Sequence, residues 1–446
     1  MSFPLTRRSF LHLSAASAAA AWASACQSTF PRRVTKGPLR YAAVGVKGMG
    51  EWDLKNIASH PDVRVECLCD VDESHLMAAA ALHPEARLYR DWREMLRVEA
   101  GKLDGISVSI PDHMHAPVVM TALGLGMHVY GQKPLTHTVV EARTLRAAAR
   151  KAGVATQMGI QNHSAEPYRT ALRVFEGGIT GPVSEVHVWT DRPAGWWPQD
   201  VDRPEGSDPV PANLDWDLWL GVAPERPYKE GAYHAFVWRG RKDFGTGAQG
   251  DMACHLMDPA LWFLGLGDPF SVLSEGPKPK ADSYPLWSRI VCEFEPTSKT
   301  AQQTIPVTWH DGGRQPSERF AAYGVEKPYG NGSFFVGDKG ALMVSPYDPC
   351  RFFQKGQGEV ALTPEPVEGI DHWHQWVDAC LGRGETTCGF DYAGRLSELA
   401  LLGNVALEFP GERLAWESSK LRFAGRPDAS ALLHKTYRPG WEVDGL

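Results

Sequence analysis

The sequence lacks three features that would each point to a definite class of protein. It contains no block of basic residues and its net charge is −7, which argues against a protein built to bind a nucleic-acid backbone. The apolar run that ends at Ala25 is too short to span a membrane as a helix. No internal repeat or low-complexity run follows it. The 446 residues are 43% hydrophobic and 22% charged, which is typical of a globular chain with room for two domains.

Cysteines are not arranged as in a metal or disulfide framework. Apart from Cys26, seven of the eight cysteines remain, and none forms a Cys-x-x-Cys pair or a Cys/His cluster with zinc spacing. Cys67 and Cys69 fall on one face of a predicted strand. We therefore predict no metal site and no disulfide framework.

The first 26 residues are interpreted as a targeting segment. Residues 6–12, TRRSFLH, form a twin-arginine pattern, and an alanine-rich run leads to Ala25. The sequence ASAC at residues 23–26 allows either cleavage after Ala25 or acylation of Cys26, and both endings stay open. A chance arginine pair before a helix is the alternative. We expect export to the periplasm, with or without a lipid anchor at Cys26, and a linker over residues 27–38.

Strands and helices alternate over residues 39–159. Apolar segments such as LRYAAVGV, VRVECLCDVD and LDGISVSI are separated by amphipathic helices, a pattern that predicts a Rossmann domain with a doubly wound parallel sheet. Over residues 160–446 the pattern changes to alternating strands with helices near the end. This second half is predicted to be an α+β domain with an open, largely antiparallel sheet. Such a sheet also suggests a homo-oligomer that associates face to face.

The stretch YAAVGVKGMGEWDL, residues 41–54, nearly forms a dinucleotide fingerprint. A strand precedes the turn, a helix follows it, and Asp70 ends the second strand, where a carboxylate can accept both ribose hydroxyls. No arginine or lysine follows in VDESH, which favours NAD over NADP. Lys47 replaces the middle glycine, and its ammonium group is expected to pair with the pyrophosphate. The cofactor-binding residues predicted from this turn are Gly45, Lys47, Gly48, Met49 and Gly50.

A lysine at the end of a parallel strand adds a second motif. With MHVYGQKPLTHTVVEA, CDVD, PDHMHA and DFGTGAQGDMACHLMD, the chain resembles the Gfo/Idh/MocA family of sugar and cyclitol dehydrogenases over most of its mature length. DYAGRLSELALLGNVAL and YRPGW near the end share this resemblance. The family's Glu-Lys-Pro is Gln132-Lys133-Pro134 here, so the lysine is kept while its acidic neighbour is neutral. The resemblance also implies a cis bond before Pro134.

Three residues carry the expected chemistry. Oxidation of a secondary alcohol needs a base for the hydroxyl proton and positive charge near the developing alkoxide. Lys133 can supply the charge, and His255 can act as the base because the pKa of histidine lies near neutrality. Asp251 shares a helix face with His255 and could orient the substrate or His255. A helix N-cap role for Asp251 and a structural role for His255 remain the alternatives.

Other residues are weaker candidates. Pro111, His115 and Gln132 are expected near the nicotinamide, and Asn162, His163 and Arg192 near the substrate. Gln161, like Asn162 and His163, could touch the substrate or merely cap a helix. Arg192 and four aromatic residues could line a sugar cleft or pack in the core or loops: Trp189, Trp196, His234 and Trp238. For His372 and His374, on a late helix, a solvated face is expected.

The primary hypothesis is an oxidoreductase that takes hydride from a sugar or glycoside hydroxyl, with firmly held NAD. Because free NAD is not expected outside the cytoplasm, the hydride must pass to a second sugar, to another acceptor, or back to the same substrate. The last route describes the alternative, a glycosidase that works by oxidation, elimination, hydration and re-reduction. No carboxylate pair marks an ordinary hydrolase. A sugar-binding protein with a vestigial site is the third class considered.

Overall fold

The computed structural model describes residues 33–446, so the twin-arginine pattern, Cys26 and residues 27–32 of the expected linker lie outside the described residues. Six parallel strands form the first sheet in the order β3-β2-β1-β4-β5-β6. This order confirms the predicted doubly wound arrangement. The strands are β1 (Leu39–Val44), β2 (Val63–Cys69), β3 (Arg87–Tyr89), β4 (Gly105–Val108), β5 (His128–Gly131) and β6 (Thr156–Met158).

Five helices connect these strands, and side-chain caps fix where several of them begin. Asp72 caps α2 and Asp91 caps α3, each by accepting a backbone N–H of the first turn. Thr138 and Glu141 form a reciprocal capping box at the start of α5. The helices are α1 (Met49–Ala58), α2 (Glu73–Ala80), α3 (Trp92–Glu99), α4 (His115–Gly124) and α5 (Val139–Ala152).

The second domain contains a ten-stranded sheet in the order β14-β13-β12-β11-β7-β10-β9-β8-β15-β16. Within this sheet, as described for residues 33–446, only the β7–β10 pair is parallel, which confirms a largely antiparallel sheet. Its strands are β7 (Val183–Trp189), β8 (Ser271–Glu275), β9 (Arg289–Phe294), β10 (Ile305–His310), β11 (Gly332–Gly337), β12 (Ala341–Val344), β13 (Arg351–Gln354), β14 (Gly358–Val360), β15 (Arg413–Glu417) and β16 (Arg422–Phe423).

Helices late in the chain pack back on the first domain. Helix α12 (Phe390–Leu407) packs against α5 and against α8 (Gly247–Leu256), and α11 (His372–Cys380) packs against α1. In α11, Trp376 is fully buried and meets Tyr41 and Tyr130 edge-on, with ring centroids 6.3 and 6.0 Å away. The remaining helices are α6 (Glu166–Glu176), α7 (Trp216–Leu220), α8 (Gly247–Leu256), α9 (Asp258–Leu264), α10 (Ser317–Ala322), α11 (His372–Cys380), α12 (Phe390–Leu407) and α13 (Pro427–Ala431).

Two general features complete the fold. Between residues 33 and 446, none of the helices combines the length and the apolar character needed to cross a bilayer. The seven cysteines of this part of the chain are buried and free.

The expectation that His372 lies on a solvated face is wrong. Its ring is 2% exposed, with Nδ1 2.8 Å from the Ser164 hydroxyl and Nε2 3.0 Å from the Met158 carbonyl. Burial lowers its pKa to about 3. The sequence around Trp373 did not indicate that His372 is buried. The first domain covers α11, and the periodicity of the helix alone does not show which elements pack on it.

Acidification is expected to destabilise the fold. Burial lowers the pKa of four histidines to about 3, whereas an unfolded histidine titrates near pH 6.5. Between these two pKa values the unfolded chain binds more protons than the folded chain. The free energy of unfolding therefore falls as the pH falls through this range. These histidines are His113, His255, His310 and His372.

Two buried carboxyls oppose this effect, because burial raises the pKa of Asp53 to about 6 and that of Asp311 to about 7. We expect the free energy of unfolding to fall by roughly 2–4 kcal/mol between pH 7.5 and pH 5. Urea unfolding at the two pH values measures it, and an unchanged midpoint would contradict the neutral state of the histidines.

Candidate active site

The carboxyl ends of β1, β2, β4 and β5 meet at one edge of the first sheet, as parallel strands require. A cleft of about 360 Å³ opens there. Asp251 of α8 and part of residues 213–239 line its opposite side. The cleft therefore joins the predicted nucleotide turn to the predicted catalytic lysine, Lys133, which also lines it.

The glycine turn is shaped for close approach of backbone. Gly45 has φ +81°, and a Cβ there would collide with the Ser109 carbonyl. A Cβ on Gly50 would collide with the Gly45 carbonyl, so the first and third glycines are required by packing. No side chain caps the start of α1, and space around Gly48 is open. The N–H groups of Gly50 and Trp52 donate to the carbonyls of Lys47 and Gly48, at 3.1 and 3.4 Å. The remaining N–H groups in the first turn of α1 can donate to a phosphate, which fits a dinucleotide.

Asp70 and Lys47 stand on the rim of this turn. The Asp70 carboxylate accepts the backbone N–H groups of Val46 and Asp72, both at 3.0 Å, which fixes its direction. Lys47 lines the cleft, but its ammonium lies 2.6 Å from Glu51 one turn along α1. A phosphate contact of Lys47 would have to compete with this exposed ion pair, and it stays a prediction.

Lys133 and Asp251 form an ion pair in the cleft. The Lys133 Nζ donates to the Asp251 Oδ1 at 2.8 Å and to its backbone carbonyl at 2.6 Å. Arg239 donates to the same Oδ1 at 3.3 Å. Burial would raise the pKa of Asp251, but Lys133 and Arg239 lower it to about 2, so the carboxylate is ionised. Since α8 begins at Gly247, Asp251 is not its N-cap.

Sequence reasoning missed Arg239. It belongs to the short 3₁₀ helix Val237–Gly240 before α8, and its guanidinium lies over the ring of Phe236 at 4.2 Å and that of Trp238 at 4.4 Å. No motif or spacing indicated it. Asp112 was also missed: it lines the cleft, accepts a hydrogen bond from Thr246 at 2.6 Å, and has its pKa raised by burial.

His255 lies one helical turn after Asp251 and is 9% exposed. Its backbone carbonyl accepts the Tyr168 hydroxyl at 2.9 Å, while its Nδ1 has no hydrogen-bond partner within residues 33–446. Burial and then the charge of Lys133 lower the pKa of His255 to about 3. The expectation of a pKa near neutrality is therefore wrong, because that expectation ignored the cost of charging a buried ring beside a cation.

A buried carboxyl lies behind Gln132. The Gln132 amide donates to the Asp53 Oδ2 at 2.8 Å, and the Ser109 hydroxyl donates to the same oxygen at 2.8 Å. Trp373 donates to the other oxygen at 2.9 Å. Burial raises the pKa of Asp53 to about 6 despite these three donors. The neutral residue before Lys133 thus has an acidic partner supplied by α1.

The Gln132→Glu variant is expected to lose turnover by roughly tenfold, because two buried carboxyls in contact cannot both ionise and one must hold a proton. The D53N/Q132E double variant keeps one carboxyl and one amide in the pair and should recover most of the rate. The pH–rate profile checks this: Q132E alone should gain an ionisation above pH 6, and a double variant no better than Q132E would contradict the coupling.

The remaining predicted cofactor residues also border the cleft. Pro111, His115 and Gln132 line it. The His115 ring lies between two backbone carbonyls, with Nδ1 2.8 Å from that of Pro134 and Nε2 2.7 Å from that of Ile110. It therefore links the loop after β4 to the loop after β5. The bond before Pro134 is cis, as the resemblance implies.

Asn162 and His163 do not line this cleft. Asn162 donates its amide to the Pro346 carbonyl at 3.2 Å. His163 is buried, with Nδ1 2.9 Å from Asp258 and its ring stacked on Trp262 at 3.8 Å. These contacts are those of a core residue. His163 therefore has no access to the cleft from its described position.

Arg192 does not line the cleft. Its guanidinium lies over Trp196 at 3.5 Å, and its charge, with that of Asp251, acts on the pKa of Tyr347. Trp189 is fully buried and belongs to the core. His234 and Trp238, which were expected to line a sugar cleft or the core, line the cleft that contains the glycine turn.

One group of side chains could hold a metal ion. Single ligand atoms of Asp72, His75 and His234 lie within 4.8 Å of one another. Asp72 and His234 are already joined by a hydrogen bond of 3.0 Å. Sequence spacing does not indicate this group because His234 belongs to the second domain.

Comparison with protein families gives two matches. Residues 39–160 match the GFO_IDH_MocA model, described as an oxidoreductase family with an NAD-binding Rossmann fold. Residues 189–303 match the GFO_IDH_MocA_C2 model, described as the C-terminal alpha/beta domain of that oxidoreductase family.

Individual relatives match only in part. The chain is 23% identical over 173 residues to the uncharacterized oxidoreductase YrbE of Bacillus subtilis, covering 39% of this chain and 46% of that protein. It is 36% identical over 90 residues to D-apiose dehydrogenase of Paraburkholderia graminis, covering 20% and 24%. It is 33% identical over 138 residues to a glycosyl hydrolase family 109 protein of Stenotrophomonas maltophilia, covering 28% and 29%. The match thus spans less than half the length of each of these relatives.

Among solved structures, the WlbA dehydrogenase of Bordetella pertussis, in complex with NADH and UDP-GlcNAcA, shares the fold. The TM-score is 0.60 at 18% identity, over 85% of this chain and 99% of that chain.

Proposed function

The chain belongs to the Gfo/Idh/MocA family of NAD-binding oxidoreductases, and we propose that it transfers hydride between NAD and a hydroxyl-bearing carbon of a carbohydrate. The observation that carries this proposal is the Lys133–Asp251 ion pair, which lies in the same cleft as the glycine turn. D-apiose dehydrogenase is one of the relatives, which supports a sugar as the substrate class.

The residues present fit the dinucleotide. Gly45 and Gly50 allow the tight turn, the uncapped start of α1 offers N–H groups to the phosphates, and Asp70 offers a carboxylate to the ribose. NAD supplies the hydride acceptor when it is bound. Lys133, which lines the same cleft, is assigned to the substrate oxygen.

In this proposal Lys133 and His255 have different roles at the substrate hydroxyl. The Lys133 ammonium donates a hydrogen bond to the substrate oxygen and stabilises negative charge as it develops there. Asp251 keeps that ammonium in place by accepting its hydrogen bond, and Arg239 donates to the same carboxylate oxygen. His255, neutral at physiological pH because burial lowers its pKa, accepts the hydroxyl proton.

A redox-assisted glycosidase is the second candidate. The partial match to a glycosyl hydrolase family 109 protein favours it. It would use the same Lys133 and His255 for oxidation, and it also needs a second base for the C2 proton. Asp112, a buried carboxyl in the cleft, is our candidate for that role.

Substrate trials without added cofactor separate the candidates. The purified protein is denatured with acid, its NAD content is measured, and the native protein is offered free sugars and aryl glycosides. A ketosugar formed together with NADH supports the oxidoreductase, whereas steady aglycone release without net NADH supports the glycosidase. A protein that carries and binds no NAD, or transforms neither substrate class, would refute both.

We also propose export by the twin-arginine route, based on residues 6–12. Replacing both arginines by lysine should keep the protein in the cytoplasm. Fractionation of expressing cells checks this, and unchanged export would refute it.

A further inference from the structure

Residues 213–239, named here the roof segment, cross from the second domain to the edge of the first. Trp219, His234 and Trp238 of this segment line the cleft together with Asp70. Asp70 marks the end of the cleft where the adenosine ribose is expected. Hydrogen bonds hold residues at the start and near the end of the roof segment beside that ribose position.

A single carboxylate holds both ends of the roof segment. The Asp72 Oδ1 accepts the Asn213 side-chain amide at 2.7 Å as well as the Ser74 backbone N–H at 2.9 Å. The Asp72 Oδ2 lies 3.0 Å from the His234 Nε2. Asp72 is 4% exposed, and its pKa is held below its usual value by these hydrogen bonds although burial alone would raise it. The carboxylate therefore stays charged, which strengthens each bond.

Backbone hydrogen bonds reinforce the first of these ends. The Glu73 N–H donates to the Asn213 carbonyl at 2.8 Å, and the Asp215 N–H donates to the Val71 carbonyl at 3.0 Å. Arg90 donates to the carbonyls of Val71 and Asn213 at 3.1 and 3.2 Å. The start of the roof segment is thus paired with the chain immediately after Asp70.

The roof segment has its own packed interior. Trp216 and Trp219 stack with ring centroids 4.7 Å apart, and Tyr233 and Phe244 close the cluster with Trp219. On the other side, the His113 Nε2 lies 3.1 Å from the Leu220 carbonyl. Such packing holds the roof segment in one position and disfavours its opening as a mobile loop.

A buried donor at the same end lacks a partner. The Trp92 indole is 7% exposed and lines the cleft, and its N–H has no hydrogen-bond partner in residues 33–446. A buried donor without an acceptor is costly. An adenine or ribose in the cleft would offer such an acceptor.

We propose that Asp72, Asn213 and His234 form a latch that holds the roof segment over the adenosine half of NAD and keeps the cofactor bound between turnovers. This inference rests on the NAD chemistry of the proposed function. The latch adds a retention role that the nucleotide turn does not provide, because the turn contacts the phosphates from the opposite side of the cleft.

The test measures how fast bound NAD leaves. The full protein is loaded with radiolabelled NAD, and release is followed after addition of excess unlabelled NAD. His234→Ala and Asn213→Ala each remove one hydrogen bond to the Asp72 carboxylate and should speed release by about tenfold to a hundredfold. His374→Ala is the matched control, because that ring contacts Ser59 on another face of the first domain and its loss should leave release unchanged.

The outcomes separate the latch from the proposed function. If the wild type binds no NAD, the proposed function fails; if it binds NAD and both latch variants release it at the wild-type rate, only the latch fails. Having two latch variants guards against a fold defect in either, which thermal unfolding detects. If EDTA speeds wild-type release and Zn²⁺ restores it, a metal ion bound by Asp72, His75 and His234 closes the site, and the hydrogen-bonded latch is overturned.

Discussion

Lys133→Met is expected to reduce turnover by about 10³-fold or more while leaving NAD bound. The ammonium is the cation closest to Asp251 in the cleft, at 2.8 Å, and methionine keeps the side-chain length without charge or donor. Arg239 stays 3.3 Å from the Asp251 carboxylate and keeps it paired, so the fold is expected to survive. The loss should therefore appear in the chemical step rather than in the stability of the protein.

The measurement is a single-turnover reduction of bound NAD at saturating sugar, with NAD content checked by acid extraction. Lys151→Met is the matched control, since Lys151 is exposed at the end of α5. Lys133→Arg should recover little activity, because a planar guanidinium places its donors differently from a compact ammonium. Turnover of Lys133→Met close to that of the wild type would remove Lys133 from the catalytic assignment.

His255→Ala is expected to slow hydride transfer by about 10²–10⁴-fold, the range for loss of a positioned base. The position one turn after Asp251 supports this role, while the unpartnered Nδ1 is itself buried and His255 does not line the cleft that holds Lys133. Because the pKa of His255 is lowered to about 3, the ring is neutral well below neutral pH. The wild-type rate should accordingly show no acidic limb near pH 6.5 from this residue.

Two observations test the base assignment against a structural role. Added imidazole should partly restore turnover in His255→Ala, which a merely misfolded variant would not show. His434→Ala, a change at an exposed histidine, should keep wild-type turnover. A wild-type acidic limb near pH 6.5 that disappears in His255→Ala would show that the ring titrates near neutrality, contrary to its burial.

Much of the first domain could be predicted because its signals are local. The alternation of apolar strands and amphipathic helices places β1, β2, β4 and β5, and parallel strands necessarily bring their carboxyl ends to one edge. Gly45 and Gly50 could be located because steric limits on a Cβ are severe in a tight turn. Lys133 could be predicted as a catalytic candidate from its position after β5 and from the family resemblance.

The sequence by itself therefore determined the Rossmann sheet, the glycine turn, Asp70 and Lys133, since each depends on near neighbours in the chain or on strand direction. Only the tertiary structure decided that Arg239 joins Asp251, that Asp53 supports Gln132, and that His234 reaches Asp72 from the other domain. These contacts join distant positions, for which sequence spacing gives no measure. The lowered pKa of His255 was equally hidden, because burial depends on what the whole chain packs around the ring.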